Sequence, residues 1–212
     1  HGYSVASISY RLSQIAKSPA QIHDCKAAIR WLRAQENKFG YDSSKIVAAG
    51  ASAGGYLATL LGTSDGVKQL EGNVGGNLEM NSSLSGIINY YGPTDFILRS
   101  KTQPHRANKV GSVVYNLLGG GADKKVKLAT LASPVYHVTK NDPPILIFHG
   151  DKDATVLIDQ ANAITSAYKK MNLSVNMNTL PGKKHGGTEF YTGENRKKVL
   201  QFLGKIVESA SH

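Results

Sequence analysis

Residues 45–61 read KIVAAGASAGGYLATLL and predict a strand, a tight turn and a helix in direct succession. The apolar residues 46–49 are typical of a strand that is buried on both faces. A turn rich in glycine and alanine carries Ser52, and residues 56–61 are predicted to be helical. Strand, G-x-S-x-G and helix in this order are the context of a nucleophile elbow, which raises a serine hydroxyl above the carboxyl edge of a sheet.

The neighbours of Ser52 are small, as so tight a bend requires: Gly50, Ala51, Ala53, Gly54 and Gly55. At the start of a helix, a backbone N–H and the helix dipole stabilise negative charge that develops on a nearby oxygen. Ser52 is therefore predicted as a nucleophile, and the Ala53 N–H as an oxyanion donor. The alternative interpretation is a plain strand-to-helix turn in which Ser52 caps the helix.

A serine hydroxyl needs a base that takes its proton and an acid that orients the base. In sheets of this kind the acid and then the histidine follow the serine, each in a loop after a strand. A predicted strand at 144–149 leads into HGDKDATV, and a predicted strand at 174–180 leads into PGKKHGG. His185 lies in the second, glycine-flanked loop and is predicted as the base.

Asp151 and Asp153 compete for the role of the acid. We favour Asp153 and expect Asp151 to bind the backbone of its own loop. Asp95, after the predicted strand 84–91, is a weaker alternative acid and is expected to stabilise a turn. His149 closes a buried strand and is interpreted as a structural histidine. Solvent or local hydrogen bonding is expected for the histidines without a companion motif: His23, His105 and His137.

The 212 residues are predicted to form one domain, 1–212, with 41% hydrophobic and 19% charged residues. The formal net charge of +10 could favour anionic partners, but the basic residues are dispersed, so nucleic acid is not expected as a partner. No apolar run approaches the length of a membrane span. The single cysteine, Cys25, excludes an intrachain disulfide and argues against most metal clusters.

Strands that alternate with helices predict the α/β class, with a mostly parallel sheet covered by helices on both faces. Besides the elbow, the predicted strands are 4–10, 84–91, 144–149 and 174–180, and the predicted helices are 20–40, 156–171 and 194–209. A loop is expected at 63–83, and an irregular insertion at 96–131 with one or two helices, the clearest near 109–118. Three glycines at 119–121 are interpreted as the end of that helix, because the Lys-Ser/Thr of a phosphate-binding loop does not follow them.

Six segments carry a family resemblance: GYSVASISYRLS (2–13), YDSSKIVAAGASAGGYLATLLG (41–62), YYGPTDF (90–96), SPVYHV (133–138), PPILIFHGDKDATV (143–156) and GKKHGG (182–187). In this order they resemble a bacterial esterase or lipase of the α/β-hydrolase superfamily, nearest to the branch with acetyl-xylan and feruloyl esterases. The resemblance implies an α/β-hydrolase fold, Asp153 as the acid, and neither a metal nor an organic cofactor. Ala154 stands where the family usually has proline.

Members of that family carry an H-G-G loop with further oxyanion donors upstream of the segment that matches 2–13. The chain starts at this segment without an initiator methionine, so the resemblance implies an N-terminally truncated domain that lacks a strand between 4–10 and the elbow strand. Either the missing segment belongs to the complete protein, another chain supplies it, or the two strands pair directly. The sequence assigns neither compartment nor oligomeric state, and the resemblance allows an extracytoplasmic location.

The sequence thus predicts a carboxylic ester hydrolase, with Ser52 attacking the ester and His185 taking its proton. The resemblance implies short acyl esters, or acetyl and feruloyl esters of plant polysaccharide, as substrates, with 96–131 forming part of the pocket. One alternative is a serine peptidase similar to prolyl oligopeptidase, against which the absence of a propeller repeat counts. The other alternative is a catalytically impaired hydrolase that acts as a binding module.

Overall fold

Four parallel strands form the central sheet of the computed structural model, which describes residues 1–208. In chain order and in sheet order they are β1 (Val47–Ala51), β2 (Gly86–Tyr90), β3 (Ile145–Gly150) and β4 (Val175–Leu180). Their parallel register brings the carboxyl ends of all four strands to one edge of the sheet. Ser52, Asp153 and His185 follow β1, β3 and β4 at this edge.

Helices connect and cover the strands. They are α1 (Ala20–Ala34), α2 (Glu36–Phe39), α3 (Ala53–Thr63), α4 (Lys68–Glu71), α5 (Phe96–Thr102), α6 (Pro104–Ala107), α7 (Val113–Leu118), α8 (Val126–Leu131), α9 (Asp159–Lys170) and α10 (Gly193–Glu208). Single 3₁₀ turns lie at Ser43–Lys45, Pro134–Tyr136 and Thr188–Phe190. Within residues 1–208, no helix has both the length and the apolar character needed to cross a bilayer.

Successive side chains of a strand point to opposite sides of the sheet. The consecutive apolar residues of β3 therefore make both faces of the sheet apolar. Ile145 and Ile147 of β3 pack in the larger hydrophobic cluster, to which α1, α3 and α9 contribute. Leu146 and Phe148 pack in a second cluster, which α10 covers. The predicted α/β fold, a parallel sheet with helices on both faces, is confirmed.

Residues 1–12 form neither helix nor strand, so the strand predicted at 4–10 is absent from the described structure. Residues 1–9 are exposed, with Val5 at 92%. A strand needs a neighbour for its N–H and C=O groups, and among the described residues β1 pairs with β2 alone. Direct pairing of 4–10 with the elbow strand, one of the three expected arrangements, therefore does not occur here. Instead, Arg11 attaches the segment to α1 by an ion pair with Asp24 at 2.7 Å.

Two predicted helices end at glycines in the left-handed conformation. The helix predicted at 20–40 is divided into α1 and α2, and Gly40 follows α2 with φ 68°. Gly119 follows α7 with the same φ, which supports its interpretation as a helix end. Glycine reaches this conformation without the steric cost that a side chain imposes, so it ends helices readily.

The insertion at 96–131 contains four of the described helices, α5 to α8, where the sequence predicted one or two. Helix α4 lies in the predicted loop 63–83. The last two predicted helices correspond to α9 and α10, with starts that differ by one to three residues. Ser209, the last residue of the predicted final helix, lies outside the described residues.

Two cationic side chains of α1 are buried against the segment between α3 and β2. Lys26 Nζ donates to Glu71 Oε2 at 2.8 Å and to the Ser64 carbonyl at 3.0 Å. Arg30 Nη1 donates to Glu71 Oε1 at 2.9 Å. The side chains of Lys26 and Arg30 are 0% and 1% exposed. Glu71 therefore compensates two charges whose burial would otherwise be strongly unfavourable.

Candidate active site

Ser52 occupies the sharp turn between β1 and α3. Its backbone has φ 52° and ψ −115°, a conformation that costs a residue with a side chain roughly 1–3 kcal/mol. The Ser52 N–H donates to the Tyr90 carbonyl at 2.8 Å and so extends the β1–β2 pairing by one residue. Ser52 directly precedes α3, but its hydroxyl makes no capping hydrogen bond. Ser52 thus holds the N-cap position of α3, but its side chain does not cap the helix.

Two glycines allow α3 to approach the sheet behind this turn. A Cβ atom on Gly50 would collide with the Gly54 carbonyl group, and one on Gly55 would lie 2.7 Å from Asn89 Oδ1. Asn89 is buried and joins the elements, since it donates to a threonine of α3 at 2.8 Å and accepts from the Gly92 N–H at 2.7 Å. The need for small residues thus applies to Gly50 and Gly55, whereas a Cβ on Gly54 would meet open space.

The structure brings Ser52, His185 and Asp153 into hydrogen-bonding contact. His185 Nε2 lies 2.9 Å from Ser52 Oγ, and His185 Nδ1 lies 2.7 Å from Asp153 Oδ2. A carboxylate only accepts hydrogen bonds, so we assign the proton of the neutral ring to Nδ1. In this tautomer, the lone pair of Nε2 is able to accept the proton of the serine hydroxyl.

The Asp153 carboxylate is buried, and its two oxygens have separate partners. Oδ1 accepts from the N–H groups of Thr155 at 2.8 Å and Val156 at 2.9 Å, while Oδ2 accepts from His185. Burial opposes the charged form, but the hydrogen bonds from His185 and the two N–H groups outweigh it and hold the pKa of Asp153 below its usual range. A negative charge therefore lies beside His185 at neutral pH.

The other two candidate acids lie elsewhere. Asp151 Oδ1 accepts from the Gly182 N–H at 2.7 Å, so this side chain links the loop after β3 to the loop after β4. Asp95 precedes α5 and accepts from the Leu98 N–H at 2.9 Å, which is a helix-capping contact. Neither carboxylate has a hydrogen bond to His185 within the described part of the chain.

His149 is fully buried at the end of β3. Its Nε2 donates to the Val156 carbonyl at 2.8 Å and lies 3.5 Å from Asp153 Oδ2. Burial lowers the pKa of His149 below its usual range, so the ring is neutral at pH 7. These contacts support the structural interpretation of His149. His23 and His137 likewise hydrogen-bond to nearby backbone carbonyls, at 3.0 and 2.7 Å.

Tyr91 packs against the His185 ring and was not found from the sequence. The edge of one ring faces the other, with 4.7 Å between the ring centroids. Phe190 lies at the same distance on another side of Tyr91, and the Tyr91 hydroxyl is hydrogen-bonded to that of Tyr191. The only signal for this contact was the doubled tyrosine at the end of a predicted strand.

The Ala53 N–H is the first of α3 and has no hydrogen-bond partner among the described residues. It adjoins Ser52 and lies at the positive end of the helix dipole. A donor in this position is able to bind an oxyanion that forms on a group attached to Ser52. The further oxyanion donors that the resemblance implies stay a prediction.

A metal site is not evident in the described chain, since residues 1–208 contain no cluster of three His, Cys, Asp or Glu side chains able to hold an ion. Cys25 is buried in the core, and burial raises the pKa of its thiol to about 12. It is therefore protonated and far from reactive at neutral pH.

A serine, an acid and a histidine in this chain order, at the carboxyl edge of a doubly covered parallel sheet, are the features of an α/β-hydrolase, and this chain has that fold. The model of the BD-FAE family matches residues 1–168, and the chain belongs to this family. The match includes Ser52 and Asp153 and ends before His185.

The chain is similar in sequence to proteins that are named as esterases. It is 32% identical to esterase LipC of Mycobacterium tuberculosis, over 98% of this chain and 52% of LipC. It is 27% identical to the probable carboxylic ester hydrolase LipM of the same organism, over 81% of this chain and 38% of LipM. The chain thus spans about half the length, or less, of these relatives.

Solved structures give the same picture. A truncated form of a carbohydrate esterase from gut microbiota superposes with a TM-score of 0.86 at 29% identity, over 94% of this chain and 73% of that one. A bifunctional GH43-CE protein of Bacteroides eggerthii has a TM-score of 0.84 at 33% identity, and the match covers 92% of this chain and 28% of that one. Esterase Est2 of Thermogutta terrifontis, with propionate bound, has a TM-score of 0.69 at 26% identity, over 96% and 70%.

Proposed function

We propose that this protein is a carboxylic ester hydrolase that uses Ser52 as nucleophile, His185 as base and Asp153 as the acid that orients it. The observation that carries the proposal is the continuous chain of hydrogen bonds from Ser52 Oγ through both ring nitrogens of His185 to Asp153, at 2.9 and 2.7 Å. Such a chain connects a hydroxyl to a buried negative charge through a group that takes up and returns a proton.

In the first half of the reaction, Ser52 Oγ attacks the ester carbonyl carbon while its proton moves to His185 Nε2. The carbonyl oxygen becomes an oxyanion, which the Ala53 N–H stabilises. When the tetrahedral intermediate collapses, the bond to the alcohol oxygen breaks and His185 gives its proton to the leaving alcohol. The acyl group then remains on Ser52 as an ester.

Water completes the cycle by the same route. His185 takes a proton from the water molecule as its oxygen attacks the acyl carbon, and a second oxyanion forms at the same place. The bond to Ser52 Oγ then breaks, Ser52 regains its proton from His185, and the carboxylic acid leaves. Asp153 stays charged throughout and stabilises the imidazolium that forms twice in each turnover.

The substrates we propose are esters of short acyl groups, or esters that join an acetyl or feruloyl group to carbohydrate. The support is the likeness to a carbohydrate esterase and to an esterase that has been solved with bound propionate. The peptidase alternative gains no support from the relatives, which are named as esterases or lipases. The intact hydrogen bonding of Ser52, His185 and Asp153 argues for chemistry rather than for a binding module.

Hydrolysis of p-nitrophenyl acetate and butyrate by the wild type and by Ser52→Ala tests this proposal. We expect turnover by the wild type and none above background in the variant. Ser64→Ala is a matched control, because Ser64 is a buried serine at the other end of α3 whose hydroxyl has no partner among the described residues. It should retain the wild-type rate. Equal rates for the wild type and Ser52→Ala would contradict the proposal.

A further inference from the structure

The loop that carries Asp153 is held from behind by side chains that the proposed mechanism does not use. The three consecutive carbonyl groups of 154–156 each accept a hydrogen bond from a different buried side chain. Gln103 Nε2 donates to the first at 3.0 Å, Arg99 Nη2 to the second at 2.7 Å and His149 Nε2 to the third at 2.8 Å. Arg99 lies in α5, and Gln103 is the first residue after this helix. Two of the three donors therefore belong to the insertion.

The held carbonyl groups share peptide planes with the N–H groups that bind Asp153. The Ala154 carbonyl and the Thr155 N–H belong to one peptide unit, and the Thr155 carbonyl and the Val156 N–H belong to the next. In a trans peptide, the C=O and N–H bonds point in opposite directions from one rigid plane. A side chain that fixes the carbonyl on one side therefore aims the N–H at Asp153 Oδ1 on the other side.

We propose that Arg99 and Gln103 are positioning residues, which hold these two peptide planes so that Asp153 Oδ2 stays directed at His185. The inference rests on the proposed function, because it assigns these two side chains a part in the same site. Within the described residues, neither side chain has a hydrogen bond to Ser52 or His185, and both act through the loop. The insertion at 96–131 thereby contributes to the orientation of the base.

The local chemistry argues against a role in stability alone. Arg99 is buried and forms no ion pair with a described carboxylate, and its Nε is without a hydrogen-bond partner in the described structure, as is Gln103 Oε1. Burial and then the nearby Arg106 lower the pKa of Arg99 to about 10, while Asp153 and Asp159 act in the opposite direction. The guanidinium is therefore charged at neutral pH, and it donates to the neutral Thr155 carbonyl in the loop that carries Asp153.

The first test is the hydrolysis of p-nitrophenyl acetate by Arg99→Met and Arg99→Lys. We expect Arg99→Met to lower kcat about tenfold to a hundredfold, since a small misplacement of a catalytic group has effects of this size, with KM changed less than about twofold. Arg99→Lys keeps a cationic donor and should recover part of kcat. Gln103→Met should lower kcat in the same way, and it carries the test if Arg99→Met does not fold.

Arg33→Met is the matched control. The Arg33 guanidinium also donates to backbone carbonyl groups, among them those of Ser43 and Ser83, but these residues precede β1 and β2 at the opposite edge of the sheet. We expect this variant to lose stability and to keep kcat within about twofold of the wild type. Equal losses of kcat in Arg33→Met and Arg99→Met would overturn the inference.

A double-mutant cycle with Asp153→Asn separates positioning from general damage. If Arg99 acts through Asp153, then Arg99→Met should reduce kcat by less than about twofold in the Asp153→Asn background. Full additivity of the two losses would overturn the inference, because it would mean that Arg99 acts independently of the acid.

A second readout does not depend on turnover. An imidazole N–H that donates to a carboxylate gives a low-field proton resonance, and we expect such a signal from His185 Nδ1–H in the wild type and in Arg33→Met. It should be lost or shifted in Arg99→Met. An inactive wild type would contradict the proposed function, whereas an unchanged resonance in folded Arg99→Met would contradict the positioning role.

Discussion

Asp151 and Asp153 lie two residues apart on the loop after β3, yet their carboxylates have different partners. Asp153 is buried and binds His185, whereas Asp151 is exposed and accepts from the Gly182 N–H in the neighbouring loop. The same residue type therefore contributes charge next to His185 in one case and a loop-to-loop contact in the other. Substitution by asparagine separates the two roles, since it removes the charge and keeps the size.

We expect Asp153→Asn to lower kcat by about 10⁴-fold, because the amide favours the wrong tautomer of His185 and no longer stabilises its charged form. Asp151→Asn keeps an acceptor for Gly182 and should stay within about tenfold of the wild type. Steady-state hydrolysis of p-nitrophenyl acetate measures both variants. A reversal of this order would assign the acid to Asp151.

At the scale of single elements, the elbow depends on which of its glycines touches the sheet. A methyl group on Gly55 would press on Asn89 Oδ1 at 2.7 Å and on the Gly50 carbonyl oxygen at 2.9 Å, whereas a methyl group on Gly54 would meet nothing within 4 Å. We expect Gly55→Ala to destabilise the fold by about 1–3 kcal/mol through overpacking. Gly54→Ala should stabilise it by about 0.5 kcal/mol, because helical glycine is entropically unfavourable.

Urea unfolding of Gly54→Ala and Gly55→Ala, followed by circular dichroism, measures the two changes. The pair is a matched one, since both substitutions add a single methyl group to adjacent residues of α3. Similar midpoints for the two variants would contradict the proposed close approach of α3 to β2.

The attachment of α1 to the segment before β2 should depend on pH. Burial opposes the charged form of Glu71, but Lys26, Ser82 and Arg30 together hold the pKa of its carboxyl below the usual range. A lowered pKa stabilises the folded state fully above the unfolded-state value of about 4.3, and this contribution is lost as the pH falls through the folded value. The attachment is thus strongest at neutral pH.

We expect Glu71→Gln to destabilise the protein at pH 7 by about 3 kcal/mol or less, since it leaves Lys26 and Arg30 without a counter-charge while the Glu71 side chain itself is 36% exposed. The gap in melting temperature between the wild type and the variant should narrow as the pH falls below about 4. A thermal scan from neutral to acidic pH measures it. A gap that stays constant with pH would show that charge is not the cause.

At the scale of the whole molecule, the net charge of +10 should affect which esters reach the site fastest. An ester whose acyl group carries a carboxylate, such as the mono-p-nitrophenyl ester of succinic acid, is attracted over roughly a Debye length, which is about 10 Å at 0.1 M salt. We expect kcat/KM for this ester to fall severalfold between about 0.01 M and 0.5 M NaCl. Neutral p-nitrophenyl acetate is the control, and an equal salt response of the two esters would contradict the expectation.

The order of the elements and the three residues of the hydrogen-bonded chain were predictable, because each depends on a local pattern. Apolar runs predict buried strands, and loops after consecutive parallel strands meet at one edge, which brings residues as distant as Ser52 and His185 together. Ser52 was identifiable because it lies in a G-x-S-x-G turn between a predicted strand and a predicted helix.

The features that the sequence did not predict have a different cause, since they depend on contacts between distant segments. The run 4–10 has the composition of a strand, but none of the four described strands pairs with it. In the sequence, Arg99 is an ordinary arginine of a helix. Only the fold brings its side chain to the Thr155 carbonyl, in the loop that carries Asp153. Tyr91 likewise gains its position against His185 only when β2 and the loop after β4 come together.

The backbone conformation of Ser52 has opposite consequences for the proposed activity and for the stability of the fold. Glycine would adopt φ 52° without the cost that a serine side chain incurs there, so Ser52→Gly should be inactive and at the same time more heat-stable than the wild type. Selection of random variants for thermal tolerance alone would therefore enrich glycine at this position. A screen for heat-stable variants of this protein therefore has to reward turnover at every round, or it will select stable chains that lack the serine we propose as nucleophile.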